Sequence, residues 1–266
     1  MRTLDSKVAI VTGAAGGLGR AMSQGLIAAG ARVVGVDLAA AEPGLQAMAD
    51  SLGAAFMPCV ADITEDAGVQ TAVSHALARA GAVHVLVNNA GVGMQRINPH
   101  FASSPTRFWE LTPAQWQSVI QTNATSQFLM ARACAPHLML QGWGRIINVT
   151  TSYFTMQLPG FCPYGPSKAA CEANTVIMSQ DMAGTGVTAN VLIPGGPADT
   201  AMVTDDRMWP DRSKLVQPGK MVAPLLWLAS DLSDGVTGRR FIAQLWNEAI
   251  DPGAAASIAG AAAGFC

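Results

Sequence analysis

The chain has 266 residues, half of them hydrophobic, and a formal net charge of −2 from 16 basic and 18 acidic side chains. That length buries one large core and fits one α/β domain, residues 1–266, better than two small ones. No basic run tracks a phosphate backbone, which argues against a nucleic-acid partner, and the longest apolar stretch, Ala254 to Phe265, falls short of the about 20 residues that span a membrane. Cys59, Cys134, Cys162, Cys171 and Cys266 follow no zinc spacing, and five cannot all pair within one chain. Reduced thiols in a cytoplasmic protein are therefore expected. The first apolar run, Val8 to Val11, stops at Thr12-Gly13 and is too short for the core of a signal peptide.

Short Val- and Ile-rich runs at 7–11, 32–36, 55–60, 83–87, 145–149 and 187–193 are bounded by Gly, Asp or Asn. Such runs read as strands buried on both faces of a parallel sheet. Helix-length segments at 18–29, 41–52, 65–80, 112–141 and 167–183 lie between them, and Thr112-Pro113 supplies a cap and a first-turn proline. The alternation predicts a doubly wound α/β sheet of the Rossmann type, mostly parallel, about seven strands wide, with helices on both faces. The last strand is expected near Arg240–Leu245. Two segments break the rhythm, 93–111 after the fourth strand and 200–218 after the sixth. Both emerge at the carboxyl ends of strands, where such sheets bind ligands, and both are read as substrate loops.

Directly after the first strand comes Thr12-Gly13-Ala14-Ala15-Gly16-Gly17-Leu18-Gly19. Glycines there permit a tight turn and let backbone approach a pyrophosphate, while the helix that follows presents free N–H groups and a positive dipole end. Asp37 closes the second strand, with no Lys or Arg in the next three residues or in the turn. A carboxylate at that point accepts hydrogen bonds from ribose hydroxyls and repels a 2′-phosphate, so NAD is predicted over NADP. Farther on, Tyr164-Gly165-Pro166-Ser167-Lys168 puts Tyr164 and Lys168 four apart, on one face of a helix. A neighbouring ammonium favours the phenolate and is expected to lower the tyrosine pKa toward the working range of a general acid/base.

Together these pieces resemble the short-chain dehydrogenase/reductase family over roughly residues 5 to 245. The matching pieces come in order: the Thr12–Gly19 turn, Asp37, Asp62-Ile63, Asn88-Asn89-Ala90-Gly91, Asn123, Asn148-Val149-Thr150-Thr151, Tyr164 with Lys168, and Pro194-Gly195. The resemblance implies an oxidoreductase that interconverts a secondary alcohol and a carbonyl. It implies that Gly13, Gly17, Leu18, Gly19 and Asp37 bind the cofactor, that Asp62 and Ile63 meet the adenine, and that Asn88, Asn89, Ala90 and Gly91 line the cleft and hold the fourth strand. It further implies that Asn123 steadies a water beside Lys168, that Tyr164 is the general acid/base, and that Lys168 also binds the nicotinamide ribose. Pro194 and Gly195 form the next turn, and Thr200 would bond the carboxamide. No metal is implied, and no His/Cys/Asp cluster argues for one.

The chain departs from that pattern in places. Thirteen residues before Tyr164, where the family carries a serine, stands Thr151, with Ser152 next to it. Either hydroxyl could orient a substrate oxygen, and spacing favours Thr151. The turn after Pro194 is one residue longer than usual, and Trp246-Asn247 replaces a usual Asp-Gly after the last strand. The Ala/Gly-rich tail at 248–266 has no assigned role; packing on a neighbouring subunit is one expectation. Met94, Phe101, Phe108, Trp109, Tyr153, Phe154, Met156, Met202, Met208 and Trp209 lie in the substrate segments and point to a fairly hydrophobic small molecule. Arg96, Arg107 and Arg212 could meet an acidic group, though solvation is the plainer reading. A homo-oligomer, tetramer or dimer, paired through the 112–141 and 167–183 helices is expected from the resemblance. The alternative function is a non-catalytic NAD-binding regulator on the same fold.

Overall fold

A computed structural model describes residues 4–204 and 208–265. The apolar runs form strands whose side chains are almost all buried: β1 (Val8–Thr12), β2 (Arg32–Asp37), β3 (Phe56–Val60), β4 (Val85–Asn88), β5 (Gly144–Val149), β6 (Val187–Ile193) and β7 (Arg239–Ile242). β8 (Gly260–Ala262) completes an eight-stranded sheet in the order β3-β2-β1-β4-β5-β6-β7-β8, and only the β7–β8 pair is antiparallel. Each strand after β1 is preceded by a helix. α1 (Gly17–Ala28), α2 (Glu42–Leu52), α8 (Val222–Leu228) and α9 (Pro252–Ala259) bury Met22, Leu26, Leu45, Met48, Leu225 and Ala255 on one face. α3 (Asp66–Ala80) and α5 (Ser126–Leu140) bury Val69, Ala72, Met130, Cys134 and Leu138 on the other. Full burial of such side chains contributes about 1.5–3 kcal/mol for each large one.

Three differences from the sequence expectation bear on the site. The segment read as one helix over 112–141 is α4 (Pro113–Ile120), a π-helical turn at Gln121–Thr125, then α5. The wider turn carries Asn123, and such turns insert a residue without breaking the helix. The helix expected from 167 begins three residues earlier, as α7 (Tyr164–Asp181), so Tyr164 opens it. The tail packs on its own domain: Ala255, Ala256 and Ala259 are buried, and β8 pairs with β7. Cys59, Cys134, Cys162 and Cys171 are free thiols, and Cys266 lies outside the described residues, as do residues 205–207 of the second loop. Among the described residues no helix is long and apolar enough to cross a membrane, and no cluster of three metal-ligating side chains occurs.

Candidate active site

The strand order changes direction between the parallel neighbours β1 and β4, and the carboxyl ends of β1 to β6 open there into a cleft of about 960 Å³. At its floor the β1–α1 turn is built for backbone approach. Gly13 sits at φ +64°, where a side chain is strained, and a Cβ on Gly19 would fall 2.1 Å from the Gly13 carbonyl oxygen. The N-terminus of α1 has no side-chain cap, and Gly17, Leu18 and Gly19 line the cleft, so its first amides are left for an anion. The turn is clamped from β4: Asn89 Nδ2 donates to the Thr12 and Gly13 carbonyls at 2.9 and 3.1 Å, and the Asn89 and Ala90 amides donate to Thr12 Oγ1 at 3.0 Å.

Asp37 reaches the same turn. Its Oδ2 accepts from the Ala15 amide at 3.0 Å and its Oδ1 from the Leu38 amide at 2.9 Å. Each oxygen keeps a lone pair for a further donor. Asp62 and Ile63 line the cleft beyond it, with Asp62 Oδ1 accepting from the Thr64 amide and hydroxyl at 3.0 and 2.7 Å. Pro194, Gly195 and Thr200 line the opposite edge, and Thr200 Cγ2 lies 3.0 Å from where a Gly17 Cβ would stand. The extra residue in that turn therefore leaves Thr200 over the glycine turn. A pyrophosphate, two riboses and a ring fit these groups as the residues stand.

At the other end Tyr164, Lys168, Thr151 and Ser152 all line the cleft. Thr151 stands near enough to the Tyr164 phenol to pull its pKa down, whereas Ser152 Oγ caps α6 (Tyr153–Met156) by accepting from the Thr155 amide at 3.0 Å. Lys168 is buried and its Nζ donates to the Val149 carbonyl at 2.9 Å. The expected control of tyrosine by lysine is replaced by burial: desolvation pushes Tyr164 up to about 12, and the opposing pull comes from Thr151. Burial also lowers the Lys168 pKa.

One asparagine stands elsewhere than expected, and a second is fixed by hydrogen bonds of its own. Asn88 does not line the cleft; its Nδ2 donates to Asn148 Oδ1 at 3.0 Å inside the sheet–helix layer. Asn123 is buried, with Nδ2 donating to Val92 O and Ser167 Oγ at 2.9 Å and Oδ1 accepting from the Val92 amide at 2.8 Å. It braces the segment after Gly91 against α7, and a Cβ on Gly91 would lie 3.3 Å from Lys168 Nζ. Of the hydrophobic loop residues, Met94, Phe101, Phe154, Met202 and Trp209 line the cleft. Phe108 and Trp109 are exposed and pack on each other instead. Arg212 is not free for substrate, being paired with Asp199 and bonded to the Thr200 and Val203 carbonyls. Phe161 and Leu158, which sequence reasoning passed over, also face the cleft; the apolar 158–161 stretch just before the tyrosine was the available signal.

A family model described as short chain dehydrogenase matches residues 7–211, which include the turn, the tyrosine and the lysine. The chain belongs to the short-chain dehydrogenase family. It is 32% identical over 191 residues to the 3-oxoacyl-[acyl-carrier-protein] reductase FabG of Escherichia coli (strain K12), covering 72% of this chain and 73% of that one. It is 30% identical over 244 residues to nodulation protein G of Azospirillum brasilense, covering 88% and 95%. Its fold is similar to a crystal structure of the 3-ketoacyl-(acyl-carrier-protein) reductase from Brucella melitensis complexed with NADH, with a TM-score of 0.76, 27% identity, and coverage of 88% and 95%. As a short-chain dehydrogenase the chain is an oxidoreductase of the ketone/alcohol class, and a nicotinamide cofactor suits the cleft described above.

Proposed function

We propose that this short-chain dehydrogenase oxidises a secondary alcohol, or reduces the matching carbonyl, on a fairly hydrophobic small molecule, with NAD rather than NADP. The observation that carries the reading is the joint placement of Tyr164, Thr151 and Lys168 at one end of a cleft whose other end is the uncapped glycine turn and Asp37. The cofactor, when bound, supplies the site that accepts or returns the hydride. Gly13, Gly17, Leu18 and Gly19 would face its pyrophosphate, Asp37 its adenosine ribose, Asp62 and Ile63 its adenine. Ala90, Gly91, Pro194, Gly195 and Thr200 would enclose the nicotinamide half, and Asn89 holds the turn that seats it. The solved relative with NADH supports a nicotinamide, and a carboxylate at Asp37 disfavours the extra phosphate of NADP.

Thr151 holds the substrate oxygen beside Tyr164, and Tyr164 Oη, as the phenolate, takes the hydroxyl proton as the carbinol carbon gives up hydride; in reduction the neutral phenol returns that proton to the carbonyl oxygen. Lys168 holds the β5 end through the Val149 carbonyl and would meet the ribose. Asn123 is a positioning residue that acts through Val92 and Ser167. Ser152 serves α6 as its cap and leaves the hydroxyl role to Thr151. Substrate shape follows from the ring series Trp209, Phe101, Phe161 and Tyr164, whose neighbouring centroids lie 6.2, 5.7 and 6.3 Å apart. Such a wall favours an apolar or aromatic body beside the reacting carbon. Half-exposed Trp116 and Phe128 on α4 and α5 support pairing with a second copy through those helices. The test is reduction of NAD and of NADP by a panel of aliphatic and aromatic secondary alcohols. Faster turnover with NAD and with aromatic alcohols is expected; a preference for NADP or for small polar alcohols contradicts the reading.

A further inference from the structure

The three residues at the end of β5 are each held by a different ionisable side chain. Lys168 Nζ donates to the Val149 carbonyl at 2.9 Å, Thr150 Oγ1 donates to Glu172 Oε2 at 2.9 Å, and Arg240 Nη2 donates to the Thr151 carbonyl at 3.0 Å. Tyr164, Lys168 and Glu172 stand four apart in turn along α7 and so share one stripe, while Arg240 reaches over from β7. Glu172 is fully buried and Arg240 nearly so. Arg240 Nε lies 3.4 Å from Glu172 Oε1 but makes no hydrogen bond, so that contact is Coulombic and leaves the guanidinium's directed bond to Thr151.

Tyr153 extends this cluster to the C-terminal segment. Its hydroxyl is 3.0 Å from Glu172 Oε1 and 2.6 Å from the Gly264 carbonyl. A phenol carries one proton and can serve only one of these acceptors at a time. Its ring lies 3.6 Å from the Arg240 guanidinium and packs against Phe265, centroid to centroid 5.3 Å. A buried pair kept only for neutrality could be replaced by apolar side chains with no loss. Here the pair is aimed at the β5 end, Arg240 at the Thr151 carbonyl and Glu172 at the Thr150 hydroxyl.

We propose that Glu172, Arg240 and Tyr153 are positioning residues that fix the Thr151 hydroxyl against Tyr164, and that the C-terminal segment at Gly264 and Phe265 is part of the same unit. The proposal rests on the reading of Thr151 and Tyr164 as the reacting pair. It makes the chain's far end a determinant of turnover, acting through the β5 end and not through cofactor contact.

Three variants test it in the full chain: Tyr153→Phe, which keeps the ring and removes the hydroxyl; Arg240→Lys, which keeps the charge opposite Glu172 and removes the planar fork; and a chain ended at Ala263. kcat, KM, NAD affinity, thermal midpoint and hydrogen exchange of residues 150–156 are measured on each. Misplacement of a reacting group by less than an ångström is expected to lower kcat about tenfold, with KM and NAD affinity unchanged and exchange at 150–156 faster. Exchange at β1 serves as the control and stays as in the parent. A lowered midpoint with unchanged kcat and unchanged 150–156 exchange would mean a purely structural cluster and overturn the proposal. If the parent turns over no alcohol, the redox reading fails by itself, and the exchange result still decides whether Tyr153, Arg240 and the C-terminal segment hold the β5 end.

Discussion

Two neighbouring hydroxyls with different partners make a sharp experiment. Thr151 is half-open, lines the cleft beside Tyr164 and acts on its pKa, so Thr151→Ala deletes the hydroxyl assigned to the reacting oxygen without emptying the core. Loss of one such directed donor costs about 10²–10³-fold in kcat. It also removes the group that opposes the burial-driven rise of the tyrosine pKa, so oxidation at a given pH falls further. Ser152 Oγ instead caps α6, accepting from the Thr155 amide at 3.0 Å and meeting Thr155 Oγ1 at 2.8 Å. Ser152→Ala therefore costs about 1 kcal/mol of folding stability, as cap losses do, and leaves kcat nearly intact. Steady-state kinetics and urea unfolding on both variants measure the two effects. A Ser152→Ala enzyme that loses turnover while Thr151→Ala keeps it would refute the assignment.

The remaining predictions concern the cofactor and the proton. Asp37→Asn removes a charged acceptor worth about 1.5–3 kcal/mol to a ribose hydroxyl, so NAD weakens by about tenfold or more and NADP gains on it; fluorescence titration with NADH and NADPH measures the ratio. Gly19→Ala drives a methyl into the backbone of Gly13 and Ala14, at 2.1 and 2.8 Å. The overpacking costs about 1–3 kcal/mol and weakens NAD binding in the same titration, whereas wild-type affinity and stability would show that the turn yields. With Tyr164 pushed up to about 12, the protonated phenol persists through neutral pH. Carbonyl reduction should then stay level from pH 6 to 9 while alcohol oxidation climbs with pH, by about tenfold per unit below the tyrosine pKa. Equal pH dependence in both directions would speak against Tyr164 as the proton carrier.

What could be read from sequence was local. The glycine turn, the carboxylate at Asp37 and the four-residue spacing of Tyr164 and Lys168 are short-range patterns, and the structure sets them in one cleft. Alternation along β4 also held a signal that was passed over. Val85 and Val87 pack on one face and Leu86 on the other, so Asn88 shares the interior side of Leu86 and Asn89 is the residue left for the turn. The π-turn around Asn123 escaped because one inserted residue barely disturbs a helical period. β8 escaped because Gly260-Ala261-Ala262 has little strand propensity and pairs only once β7 presents an edge. The Glu172–Arg240–Tyr153 cluster joins three distant parts of the chain, and no spacing rule brings those together.

The central claim is that Tyr164 moves the proton while hydride passes to or from NAD. The direct measurement is NADH formation from NAD with the best secondary alcohol, for the parent chain and for Tyr164→Phe, alongside NAD binding to both. The account predicts turnover in the parent, its loss by several orders of magnitude in the variant, and equal NAD affinity. Turnover preserved in Tyr164→Phe, or tight NAD binding with no turnover of any alcohol by the parent, would contradict it.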